Sequence, residues 1–232
     1  MFISIIGPNG LIGKQLTKNF NKKSIKILKV GRNFKFSKVE KKYSIIIHAA
    51  NSGKKFEAKT NPKLDYDNSV KLTNKIAKIF RDRKIILIST ISCRTENNVY
   101  SKNRKLCENI ILKSSKNNII FRLPIILNTK SKRGILYDLI KNKKIYSDKN
   151  SIINPVTIDQ ICYYILNNLN SKKKIHEIGS YESIKLFELA KIINSKSKFI
   201  KRENNLLAKP SLKIFSLKNI IYDLNKHKKK IN

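Results

Sequence analysis

The chain has 232 residues, 41% of them hydrophobic, with 51 lysines and arginines against 15 aspartates and glutamates, a formal net charge of +36. This length suits one large domain or a domain with a small appendage, and the apolar fraction is enough for a core, which excludes wholesale disorder. No uncharged apolar run approaches the roughly eighteen residues of a membrane span, so none is expected.

The start, MFISIIGPNG, lacks a basic region and a small-residue cleavage site, which argues against secretion. Cys93, Cys107 and Cys162 lie far apart with no CxxC spacing, so neither a disulfide framework nor a metal site is expected, and a cytoplasmic setting fits. The lysines are spread almost evenly beside many Asn and Ile, which reads as a chain-wide compositional bias. No specific nucleic-acid partner is expected, although loosely held anions are. The one dense run, KHKKK (226–230), reads as a solvated tail.

In chain order, FISII (2–6) is a short continuous apolar run, as for a strand buried on both faces of a parallel sheet. Leu11, Ile12, Leu16 and Phe20 then recur at helical spacing. IKILKV (25–30) and SIIIH (44–48) read as further strands. Leu72, Ile76, Ile79 and Phe80 mark a helix before KIILIS (84–89). Leu106, Ile110 and Ile111 share a helical face before IIF (119–121). This alternation predicts an α/β fold, a doubly wound, Rossmann-type parallel sheet. Later, Ile158, Ile161, Cys162, Ile165, Leu166 and Leu169 form a helical stripe. Leu186, Leu189, Ala190 and Ile193 form another, and Leu217, Ile220, Ile221 and Leu224 a last. Strands are scarce there beyond IHEI (175–178). Residues 1–150 are therefore read as the nucleotide domain, and 151–232 as a small, mostly helical C-terminal substrate cap with a basic tail.

The strongest local motif is GPNGLIG, where Gly7, Gly10 and Gly13 follow the first strand and open the first helix. Glycines permit the tight turn and let backbone approach a pyrophosphate, whose charge the helix N-terminus stabilises. The chain has seven glycines and three fall here. Asn9, Leu11 and Ile12 are taken with them as cofactor-binding residues. An NAD site usually places an acid at the end of the second strand. No acidic residue precedes Glu40; the strand ends Val30-Gly31-Arg32-Asn33. Arg32, with Asn33 beside it, suits a 2′-phosphate. The expected cofactor is NADP, with NAD as the alternative.

Taken together these motifs resemble the short-chain dehydrogenase/reductase superfamily, in its extended branch of nucleotide-sugar epimerases, dehydratases and 4-keto-sugar reductases, over roughly residues 1–195. IIIHAANSG (45–53) resembles the family's third-strand motif, which implies that Ala49, Ala50 and Asn51 pass under the cofactor. Asn68 in DYDNSVKLTNKI resembles its Asn-Val-x-x-Thr helix. ILISTIS (86–92) is similar to the strand bearing the catalytic Ser or Thr. FRLPIIL (121–127) is similar to the strand beside the nicotinamide. INPVTIDQI (153–161) resembles the segment leading to the cap, with Asn154 where histidine is common. IHEIGSYESIKLFELAKII (175–193) resembles its tail. The resemblance thus implies cofactor contacts from Asn68, Ser89, Leu123 and Pro124.

The family's Tyr-x-x-x-Lys motif finds its best counterpart at Tyr100, with Arg104 where lysine is usual and Glu108 eight residues after the tyrosine. An i, i+4 step puts Tyr100 and Arg104 on one helical face. A tyrosine has a pKa of about 10, so proton exchange near neutrality benefits from a neighbouring cation. The resemblance implies Tyr100 as acid/base, Arg104 as that cation, both also touching the cofactor, and Thr90, or failing that Ser89 or Ser92, as the hydroxyl that positions a substrate carbonyl. His48 is read as part of the strand-end motif, Asp159 as a helix-start acid, and His176 and His227 receive no role. The function implied is an NAD(P)-dependent oxidoreductase or epimerase acting on a nucleotide-linked sugar, with a homodimer possible by analogy. The rival, raised by Arg104 and the +36 charge, is a non-catalytic nucleotide-sensing or nucleic-acid-associated protein of the same fold.

Overall fold

The structure is a computed structural model that describes residues 1–21, 23, 25–128, 134–200, 216–218 and 221–222. Ile220 and Leu224 of the last expected helix, and the KHKKK tail, lie outside the described residues.

From the N-terminus the elements are β1 (Phe2–Ile6), α1 (Leu11–Asn21), β2 (Lys26–Val30), β3 (Ile45–His48), α2 (Lys55–Thr60), α3 (Pro62–Tyr66), a π-helical turn (Asp67–Lys71) and α4 (Leu72–Ile79). They continue with β4 (Lys84–Thr90), α5 (Ser92–Thr95), α6 (Val99–Ser114), β5 (Ile119–Leu123), β6 (Ile126–Leu127) and α7 (Ile135–Ile140). The last are β7 (Ile152–Ile153), β8 (Val156–Thr157), α8 (Ile158–Asn167), β9 (Ile175–Glu177), β10 (Ile184–Lys185) and α9 (Leu186–Ile192).

One sheet of six strands has the order β2-β1-β3-β4-β5-β9. β1 pairs in parallel with β2 and β3, and β3 in parallel with β4. The continuous apolar runs form these strands because helices cover both faces and a solvated face would gain nothing from apolar side chains. The chain steps from β1 outward to β2, then crosses back to β3 on the other side of β1. This reversal leaves a crevice beyond the carboxyl ends of β1 and β3, where open α/β sheets take ligands.

By compactness the chain forms two units, Met1–Arg122 with Cys162–His176, and Leu123–Ile161 with Glu177–Asn232. In the first, Ile6, Val30, Ile46, Ile76, Ile85, Cys107, Ile111 and Ile120 share one buried cluster. Phe121, Tyr164 and His176 stack in another, where the Tyr164 hydroxyl lies 2.9 Å from His176 Nδ1. In the second unit β6 pairs with β8, β10 pairs antiparallel with β7, and Leu136, Leu139, Ile153, Leu186 and Leu189 form the core. IHEI, the short strand candidate of the later third, supplies β9 of the main sheet.

Candidate active site

The loop from Gly7 to Gly10 joins β1 to α1. Gly7 has φ +85°, and a β-carbon on it would lie 2.7 Å from Ala50 Cα. Both facts demand glycine. Its N–H donates to the Val30 carbonyl at 3.1 Å, tying the end of β2 to the turn. The Gly10 N–H donates to the Gly7 carbonyl at 3.2 Å, and Lys14 N–H to the Gly10 carbonyl at 2.9 Å. A β-carbon on Gly10 would meet nothing closer than 3.5 Å. The packing of the chain therefore does not require glycine there, and the bare backbone leaves surface open. No acid lies in the first turn of α1, so the positive pole of that helix is uncompensated by its own residues. Asn9 and Gly10 are exposed, Leu11 and Ile12 half-buried.

Arg32 and Asn33 are exposed just past the end of β2, two and three residues beyond the carbonyl that accepts from Gly7. Across the crevice, the Ala49 N–H donates to the Ile6 carbonyl at 2.9 Å. His48 is fully buried; its Nε2 lies 2.9 Å from Thr73 Oγ1, and the Ala50 N–H donates to its Nδ1 at 3.4 Å. Burial first, and the positive charge of Arg104 second, push its pKa down to about 3. His48 is thus a neutral brace for the Ala49–Ala50 turn. Both side-chain polar atoms of Asn51 are buried without a hydrogen-bond partner.

Tyr100 owes its place to the cap of α6. Asn98 Oδ1 accepts from the Ser101 N–H at 2.9 Å, while Asn98 N–H donates to Ser101 Oγ at 2.9 Å. Tyr100 is 7% exposed, and the Arg104 guanidinium carbon stands 4.7 Å from its ring centre. Arg104 Nη2 donates to Asp65 Oδ1 at 2.6 Å and to the Ser52 carbonyl at 3.0 Å. Burial raises the Tyr100 pKa above its usual value; Arg104 opposes the rise and Asp65 adds to it.

Thr90 ends β4, half-buried, and its Oγ1 donates to Ser92 Oγ at 3.2 Å. Ser92 Oγ donates to Glu96 Oε1 at 3.3 Å, and Glu96 is paired with Lys55. Lys55 Nζ in turn lies 5.9 Å from the centre of the Tyr100 ring. A polar chain therefore runs from Thr90 to Tyr100. Ser89 points to the opposite face of the strand, where its Oγ donates to Glu108 Oε1 at 2.8 Å. Glu108 also accepts from Arg122 Nε at 2.9 Å and Nη2 at 2.6 Å. Cys93 sits beside them with its thiol pKa pushed up to about 12, chiefly by burial.

The structure packs Gly7 against Ala49 and Ala50, and joins Arg104 to Tyr100 and to the Ser52 carbonyl just past Asn51. Asn68 is exposed on the π-helical turn, and the Ser89 hydroxyl is engaged by Glu108. Leu123 and Pro124 are buried and belong to the second unit. Sequence reasoning missed Asp65 and the Lys55–Glu96 pair, because nothing local marks partners 39 or 41 residues apart. A separate cavity of about 590 Å³ opens at the amino ends of the strands, lined among others by Arg81, Lys84, Asn170 and Lys174. Burial and the nearby Lys174 charge lower the Lys84 pKa. No helix among the described residues is long and apolar enough to cross a membrane.

No family model matches the chain, and no curated protein does. Among solved structures it is similar to UDP-glucuronic acid 4-epimerase from Bacillus cereus, in complex with UDP-glucuronic acid and NAD, with a TM-score of 0.81 at 15% identity over 100% of both chains. It is similar to dTDP-4-dehydrorhamnose reductase from Bacillus anthracis, in complex with NADP, with a TM-score of 0.72 at 19% identity over 87% of this chain and 84% of that one. The dTDP-glucose 4,6-dehydratase of Bacillus anthracis, in complex with NAD, gives a TM-score of 0.71 at 13% identity over 97% and 93%. At these identities the likeness establishes the fold.

Proposed function

We propose that this chain is an NAD(P)-dependent oxidoreductase or epimerase of the extended short-chain dehydrogenase/reductase type, acting on a nucleotide-linked sugar, with NADP the favoured cofactor. The observation that carries this is a convergence at the β1/β3 reversal. A glycine turn with open backbone at Gly10 packs on Ala49 and Ala50, and past them Arg104, set against Tyr100, binds the Ser52 carbonyl while its Nε and Nη1 have no hydrogen-bond acceptor among the described residues. The enzymes of like fold hold NADP, or NAD with a UDP-sugar, as their descriptions state.

In this reading the head of α1 and the Gly7–Gly10 turn hold a diphosphate, Arg32 and Asn33 the 2′-phosphate end, and Ala49, Ala50 and Asn51 the other wall. The nicotinamide, when bound, supplies the hydride chemistry. Thr90 positions the substrate oxygen, and Tyr100 Oη delivers or takes its proton. Residues 151–232 are assigned to selecting the sugar, and the cytoplasm is the proposed location.

The rival reading, binding without turnover, draws on the Asp65 carboxylate that offsets the charge of Arg104. The test is fluorescence titration with NADPH and NADH, followed by mass spectrometry of a panel of UDP- and dTDP-hexoses incubated with protein and cofactor. Tyr100→Phe is expected to keep NADPH affinity within about threefold, a difference worth under 1 kcal/mol, and to abolish conversion. Absence of binding by either nucleotide overturns the proposal. Binding with no conversion across the panel favours the rival.

A further inference from the structure

Arg104 is 1% exposed and Asp65 4%. They meet across α6 and α3, whose positions are set by separate caps, Asn98 for α6 and Asn61 for α3. Both oxygens of Asp65 are engaged by consecutive residues of α6: Oδ1 accepts from Arg104 Nη2 at 2.6 Å, and Oδ2 from Asn103 Nδ2 at 2.8 Å. The guanidinium is far less satisfied. Nη2 makes its two contacts, to Asp65 and to the Ser52 carbonyl, while Nε and Nη1 are buried with no hydrogen-bond partner among the described residues. An arginine buried this deeply and met at only one of its three nitrogens is a costly arrangement unless something outside the chain accepts from the others. Asn51, one residue before the Ser52 carbonyl, repeats the pattern with both side-chain polar atoms buried and unmet.

We propose that Asp65 is a positioning residue of this site: by gripping Arg104 through Nη2 alone, it sets the guanidinium against the ring of Tyr100 and reserves Nε–H and Nη1–H for an oxygen of a bound ligand, a ribose or sugar hydroxyl in chemical class. The identity of that ligand rests on the dinucleotide reading above; the Asp65–Arg104–Tyr100 geometry stands without it.

Charge adds a second consequence. The groups that face Tyr100 are Arg104 at 4.7 Å, Lys55 at 5.9 Å, Asp65 and Cys93. Burial is the largest influence and favours the neutral phenol, Arg104 favours phenolate, and Asp65 opposes Arg104. With its thiol pushed up to about 12 by burial, Cys93 is uncharged at neutral pH. Burial therefore does most to keep the proton on Tyr100, and Asp65 adds to it by offsetting part of the Arg104 charge, which equips the tyrosine to donate.

The test is Asp65→Asn, which keeps the shape and removes the charge, in the full chain labelled with ζ-¹³C tyrosine. Tyr100 is assigned by its absence in Tyr100→Phe. The Tyr100 titration midpoint is expected to fall in Asp65→Asn, because a guanidinium no longer opposed by the carboxylate stabilises phenolate. NADPH affinity is expected to weaken about tenfold as the guanidinium loses its fixed orientation. A folded Asp65→Asn with an unchanged midpoint overturns the proposal. Should Asp65→Asn fail to fold, the double variant Asp65→Leu/Arg104→Met removes both charges and leaves no buried ion alone. It is expected to fold, to hold the Tyr100 midpoint at or above that of the unaltered protein, and to lose NADPH affinity about tenfold; affinity within about threefold overturns the proposal. If the unaltered protein binds no NADPH, the dinucleotide reading fails, while the midpoint in Asp65→Asn still decides the role of Asp65.

Discussion

A β-carbon on Gly13 would sit 2.1 Å from the carbonyl oxygen of Gly7, so α1 meets the end of β1 through bare backbone. Thr17 Oγ1 donates to the Gly13 carbonyl at 2.8 Å and holds that turn of the helix in place.

Gly13→Ala is expected to destabilise the protein by about 1–3 kcal/mol, as overpacking against backbone does, and to abolish NADPH binding. Gly10→Ala makes only ordinary contacts and is expected to leave stability within about 1 kcal/mol. It still weakens NADPH binding, because the methyl occupies the open face of the turn. Urea unfolding alongside NADPH titration separates the two effects, and equal destabilisation by both variants would contradict this account of the loop.

His48 gives stability a pH dependence. Its pKa is about 3 in the folded protein against an ordinary 6.5, so the unfolded chain binds the extra proton between those values. Stability from this residue is fully present above about pH 6.5 and lost as pH falls toward 3, at up to about 1.4 kcal/mol per unit. Urea midpoints from pH 4 to 7 are expected to slope more steeply for the unaltered protein than for His48→Gln. Parallel slopes would mean that His48 is protonated in the folded state.

Glu108 is fully buried and bidentate with Arg122, which is itself 7% exposed. Glu108→Ala removes the bidentate carboxylate from that guanidinium and the acceptor from the Ser89 hydroxyl, and is expected to cost about 3 kcal/mol. Glu108→Gln, which keeps an acceptor, is expected to cost less. A loss under about 1 kcal/mol for the alanine variant, by urea unfolding, would contradict the weight given to this ion pair.

Arg32 is exposed at the crevice rim, and its contribution is readable through cofactor preference. Arg32→Ala is expected to weaken NADPH about tenfold or more while changing NADH little, as loss of a charge-assisted phosphate contact requires. Equal weakening of both would assign Arg32 to the diphosphate instead.

The parallel sheet was legible because strands covered on both faces must be mostly apolar, and the runs at 2–6, 44–48 and 84–89 are. The glycine loop was legible because its demands are local: a strand, a tight turn and a helix start within fourteen residues. Legibility failed where pairing crosses the chain. Asp65 and Arg104 are charged residues on separate helices, and only the fold shows that they share one buried contact. Asn68 illustrates the converse. Its motif lies on a π-helical turn, a local departure from α-helical spacing that the sequence did not mark, and there Asn68 is exposed.

Lys84 and Lys174 line the cavity at the amino ends of the strands, whereas the glycine loop follows the carboxyl end of β1, and that geography bears on every ligand measurement. At low ionic strength a phosphorylated compound is drawn to both edges, and a stoichiometry above one then reports the lysines as well as the crevice. Added electrolyte shortens the reach of exposed charges to about 8 Å at physiological strength and releases the lysine-bound fraction first. Occupancy that survives added salt is the measure to compare between the unaltered protein and Gly10→Ala.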